Sequence, residues 1–166
     1  MLKIYIYIPI LFCILNNIIV DNRIINTENE VKRMNDIEII LENTMPFLEQ
    51  QILKNNEFHP VAASININND FSFHASNDPE LNSDETIAYF KDIFSNNRNE
   101  YQTVAIFYNI TTTDIETNIK NDAIAVFVES KNLEEAYNLV YKYIISDSKS
   151  IDYIDSYKTS EKKQLL

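Results

Sequence analysis

The chain has 166 residues, with 14 Lys+Arg against 25 Asp+Glu and no glycine. That length suits one domain with an appended segment. Without glycine no Gly-rich loop can cradle a phosphate, which excludes a P-loop NTPase, a dinucleotide-binding Rossmann crevice and a Gly-x-Ser-x-Gly nucleophile elbow. The net charge of −11 argues against nucleic acid as a partner, because phosphate backbones need a Lys/Arg patch.

In residues 1–20 Lys3 precedes an uninterrupted apolar stretch, Ile4 to Leu15. This has the build of a signal-peptide core. It is short for a membrane span unless Ile18–Val20 are added. No small-x-small cleavage site follows. Cys13 is the only cysteine, so neither an intramolecular disulfide nor a multi-cysteine metal cluster can form. Phe12 stands where a lipobox needs a small residue. A third reading starts the domain at Met34, because codons for Glu30-Val31 can contain a ribosome-binding sequence at a sensible distance. Residues 1–33 are therefore read as a leader, either signal-like or a mis-assigned start. Residues 34–157 are read as a single domain and 158–166 as a frayed tail. A true start at Met34 implies a cytoplasmic protein. The other reading implies an exported or membrane-tethered one, with membrane contact only if residues 1–20 are an anchor.

From about Val31 to Asn56 the pattern is helical. Ile37, Ile40, Leu41, Met45, Leu48 and Ile52 recur at spacings of three and four. Pro46 interrupts that run and predicts one kinked helix or two short ones. Val61, Ala63, Ile65 and Ile67 then alternate with Ala62, Ser64 and Asn66, which is strand periodicity. Asn68-Asn69-Asp70 reads as a turn, and Phe71, Phe73 and Ala75 continue into a second strand, giving a hairpin. Ser83 is the expected N-cap of a helix with Ile87, Phe90 and Phe94 as its stripe. Two strands follow, one around Val104–Ile110 and one around Ala123–Val128. Both are apolar on both faces and hence central. Leu133 to Ile145 fits a helix or a strand equally well. Asn tolerates the left-handed backbone conformation, and Asn55-Asn56, Asn68-Asn69 and Asn96-Asn97 stand where glycine is expected.

This order, α-β-β-α-β-β with an optional further strand, predicts an α+β fold. The expected architecture is two-layered: an antiparallel sheet with both helices on one face, profilin-like in kind. Glu57-Phe58-His59-Pro60-Val61-Ala62 and Asp122-Ala123-Ile124-Ala125-Val126 resemble motifs of a group of small bacterial α+β proteins. Those proteins carry a Glu-Phe-x-Pro segment before a hairpin and an Asp-Ala-Ile-x-Val strand. The resemblance covers residues 34–145. It departs at Val61, where the group has an aromatic, and at the missing glycine before Glu57. The group has no established activity. The resemblance therefore implies the element order and a strand at 136–143, and it carries over no site residue.

The candidate surface site is Glu57, His59, His74, Ser64 and Asn66. Glu57 and His59 are two apart and can point the same way as an acid/base pair or as metal ligands. The bland reading leaves Glu57 on turn amides and His59 in solvent. His74 shares a hairpin face with Ser64, Asn66 and Ser72. With Asp70 these are the ingredients of a triad, but no buried orienting carboxylate or oxyanion hole is visible. A zinc site from His59, His74 and a carboxylate matches no ligand spacing. Asp78, Glu80, Asp84 and Glu85 lack the alternating ligands of a Ca²⁺ loop. The sequence thus implies no catalytic set, metal or cofactor. Residues 34–166 hold 22 of the acidic and 10 of the basic side chains, a net of −12. The expected function is a non-catalytic acidic interaction module, of immunity or antitoxin kind, for a basic protein partner. The alternatives are a small ligand-binding or hydrolytic domain using Glu57, His59 and His74, and an exported or membrane-tethered domain.

Overall fold

The computed structural model describes residues 27–114 and 117–166. The chain forms α1 (Thr27–Asn55), β1 (Val61–Asn66), β2 (Phe71–Ala75), α2 (Ser83–Asn96), β3 (Tyr101–Thr113), β4 (Lys120–Ser130), β5 (Ala136–Ile145) and β6 (Ile151–Glu161). The fold is α+β. The six strands make one antiparallel sheet in the order β2-β1-β3-β4-β5-β6. β2 and β3 both run antiparallel to β1 and so run parallel to each other, with β1 between them. A parallel pair needs a crossover, and α2 is that crossover.

The helices lie on opposite faces, which corrects the two-layer expectation. Val61, Ala63 and Ile65 of β1 pack with Ile40, Leu48 and Ile52 of α1, in one core that continues through Phe107, Val126 and Tyr141. Ala62 of β1 packs with Phe90 and Phe94 of α2, in a second core with Val104, Ile106 and Phe127. Successive strand residues alternate between faces, so a strand that feeds both cores is covered twice. Small side chains at Ala62 and Ser64, both buried, let α2 approach the face that periodicity marks as polar. Burying the two phenylalanines of α2 contributes about 2–3 kcal/mol each.

α1 is a single helix through Pro46, not two. It is continuous across Met34, so the expected boundary at 33/34 falls inside a helix. The signal-core, lipobox and membrane-anchor readings fall on residues 1–20, outside the described residues, as does the leader up to residue 26. No described helix is long and apolar enough to cross a membrane. The N-cap of α2 is Asn82, one residue before the expected Ser83. Its side chain accepts from the Glu85 amide while Glu85 bonds the Asn82 amide, which is a capping box. Asn56 and Asn69 adopt positive φ, at 64° and 68°, as glycine substitutes do. Asn97 does not; its φ is −113°. The other such positions among the described residues are Asn118 and Lys149.

The C-terminal end departs most from expectation. Residues 158–161 are part of β6, and Leu165 is buried at 4% exposure beside Phe127 and Ala136. The frayed tail is instead a docked one.

Candidate functional site

The β1–β2 register places Ala62 opposite His74 and Ser64 opposite Ser72. Ser64, Asn66, Ser72 and His74 therefore share the face covered by α2, as the alternation requires. Ser64 Oγ lies 2.8 Å from His74 Nε2. Ser64 is 1% exposed. The imidazole packs edge-on against Phe94 and Tyr101, with ring centroids 5.5 and 6.4 Å away. Burial pushes the His74 pKa below its ordinary value, so the ring is held neutral.

Asn66 is committed to the turn. Its Oδ1 accepts from the amides of Asn68 and Asp70, and its Nδ2 donates to the Asp70 carboxylate. Asp70 is thereby tied to the hairpin tip, and its hydrogen bonds do not include the imidazole. The triad reading lacks its orienting carboxylate. A nucleophile buried to the extent of Ser64 also has no open approach for a substrate.

His59 and Glu57 lie elsewhere. His59 is exposed but anchored, with Nε2 2.9 Å from Thr86 Oγ1 in the first turns of α2. The Thr86 hydroxyl donates its one proton to the Asn82 carbonyl. With that proton committed, the Thr86 hydroxyl accepts from His59 Nε2. The Glu57 side chain is exposed and bonds neither His59 nor the turn amides. The His59 and His74 contacts attach to Thr86 and Phe94, eight residues apart on α2, which is about 12 Å of helix. The structure thus makes two separate histidine–hydroxyl pairs from the candidate residues. Among the described residues no group of three His, Cys, Asp or Glu side chains is placed to hold a metal ion.

Three polar features escaped the sequence reading. Glu129 on β4 is fully buried. Its carboxylate accepts from the amides of Gln164, Leu165 and Leu166, at 2.8, 3.0 and 2.6 Å. This pins the tail across the second core. The available signal was a carboxylate at the end of a strand apolar on both faces, where a charge needs several donors. Asp36 of α1 is buried, and Thr103 Oγ1 lies 3.0 Å from its Oδ2 and 2.9 Å from Ser130 Oγ. Finally, Thr44 Oγ1, Asn109 Oδ1 and Tyr141 Oη are buried without a hydrogen-bond partner.

No protein-family model matches the chain, and neither a curated protein nor a solved structure does.

Proposed function

We propose that this chain is a non-catalytic protein-interaction domain whose partner is a basic protein, of the immunity or antitoxin kind. The observation that supports it is unneutralised surface charge. Among the described residues sixteen acidic side chains are exposed, including Glu57, Asp78, Glu80, Asp84, Glu85, Asp92 and Glu100. Lys142–Asp155, at 2.8 Å, is the ion pair found among the described residues. Surface carboxylates in such excess repel one another and favour a cationic partner, which they steer at long range. The resemblance to the Glu-Phe-x-Pro group, carried by Glu57–Ala62 and Asp122–Val126, and the profilin-like architecture, which rests on element order, belong to the same proposal.

The test is capture from native cell extract by the full chain at low salt, with elution at high salt. The eluted protein is then purified for stopped-flow association. Raising ionic strength from about 0.05 M to about 0.5 M shortens the Debye length roughly threefold. The on-rate should fall more than the off-rate rises. If no basic protein is retained, or if the on-rate ignores salt, the proposal fails.

The hydrolytic or ligand-binding reading draws on one observation, the 2.8 Å Ser64–His74 contact. It predicts covalent labelling of Ser64 by a fluorophosphonate, abolished in Ser64→Ala. The exported or membrane-tethered reading rests on residues 1–20 alone.

A further inference from the structure

The two edges of the sheet are unlike. Along β6, Asp152, Asp155, Lys158 and Glu161 place charge at intervals, and the register with β5 slips at Lys142/Tyr143. Charges and bulges are how an edge strand refuses another strand. β2 has neither. Phe71-Ser72-Phe73-His74-Ala75 carries no carboxylate, lysine or arginine, and its register with β1 is regular. Its outer edge has no strand beside it among the described residues. Beside that edge stand two aromatic rings. Phe73 and Phe47 of α1 are each 39% exposed, and their centroids are 5.1 Å apart in an edge-on pair. An uncharged edge flanked by exposed aromatic rings marks an association surface.

We propose that β2 pairs antiparallel with β2 of a second copy of this chain, about a two-fold axis through Phe73. The strand is its own complement under that axis. Phe73 meets Phe73, Phe71 meets Ala75, and Ser72 meets His74. The Phe47–Phe73 ring pair meets its symmetry mate on the α1 face, while the polar residues meet on the α2 face. The flanking carboxylates miss each other. Asp70 falls opposite Ser76, and Asp78 opposite Asn68. For a chain of net charge −11 this decides the matter, because like charges directly opposed across strands are destabilising. An isologous contact needs a patch that fits itself, and β2 supplies one. A basic strand would gain nothing from β2 and would find its carboxylates on β6. The pairing is independent of the proposed basic partner, because it uses none of the surface charge.

The test uses the full chain with Cys13→Ser. In that background Phe73→Cys places two thiols on the axis, with Cα atoms about 4.5–5.5 Å apart in an antiparallel pair, within disulfide range. Mild oxidation should give a covalent dimer, and Thr159→Cys on β6 should not. Sedimentation of the full chain should show a concentration-dependent dimer. Phe73→Lys should weaken it at least about tenfold with an unchanged far-UV circular dichroism spectrum. Phe73→Thr, which keeps strand propensity, serves if the lysine variant misfolds. A full chain that sediments as a monomer up to about 1 mM overturns the proposal. So does a dimer cross-linked through β6 and not through residue 73.

Discussion

Tyr141 carries a hydroxyl that the fold does not use. The ring packs 6.1 Å from Tyr153 in the α1-side core, and the hydroxyl is buried without a partner. Burial holds its pKa far above the ordinary tyrosine value. Tyr153, by contrast, reaches Glu49 at 3.0 Å. An unmet buried hydroxyl costs about 1–3 kcal/mol. Tyr141→Phe should therefore leave stability unchanged or raise it by about 1–2 kcal/mol in urea denaturation. A loss above about 1 kcal/mol would reveal a hydrogen bond to this hydroxyl. Residue-level features were the least legible in the sequence. Ser64 and His74 were placed on one face by alternation, and they do touch. Nothing in the sequence separated His59 from them, because that distance is set by α2 lying along β1.

At the scale of elements, α1 tolerates an unfavourable residue. Pro46 has no N–H to give the Glu42 carbonyl, and its ring crowds that carbonyl. Met45 and Leu48 on either side of it are buried, so tertiary packing holds the helix through the defect. Pro46 itself is exposed. Pro46→Ala should then stabilise the protein by about 1–3 kcal/mol, read from the denaturation midpoint at constant m-value. No gain would mean that the packing of Met45 and Leu48 depends on the proline. The periodicities explain what could be read here. Leu133–Ile145 was ambiguous because Ala136 and Val140 face α2 while Leu139, Tyr141 and Tyr143 face α1. Residues four apart share a strand face as well as a helix face, so a strand buried on both sides mimics a helix. β6 escaped because Ile151-Asp-Tyr-Ile-Asp-Ser-Tyr has no clean alternation. Its register slip explains why, since an extra residue reverses the faces partway along.

For the whole molecule the decisive fact is that the sheet has two covered faces. β4 lies between β3 and β5 with Val126 fully buried on the α1 side and Phe127 on the α2 side. Val126→Asp would bury a charge in the apolar core beneath α1. It should cost more than about 4 kcal/mol and abolish cooperative melting near room temperature. A variant melting within a few degrees of wild type would show that the α1 side is open to water. The centrality of this strand was legible, because Ala123 to Val128 is apolar at every position. The placement of α2 was not. A helix with one apolar stripe fits either face of a sheet, and only the small residues of β1 hinted at which.

Strand order also has a kinetic meaning. From β3 to β6 each strand pairs with its neighbour in the chain, and so do β1 and β2. The pairing of β1 with β3 alone joins strands that are not consecutive, across residues 67–100 and the whole of α2. Closing a long loop costs entropy before its contacts repay it. The hairpin and the meander can therefore form early as separate pieces, and the barrier to folding lies where they meet. Val104→Ala, at the β1–β3 seam, should mainly slow refolding. Leu139→Ala, inside the meander, should mainly speed unfolding. Chevron plots in which the two variants exchange these roles would put the folding nucleus in the meander. The six-stranded sheet is thus assembled at a single seam, and α2 is the tether that sets how fast its two halves find each other.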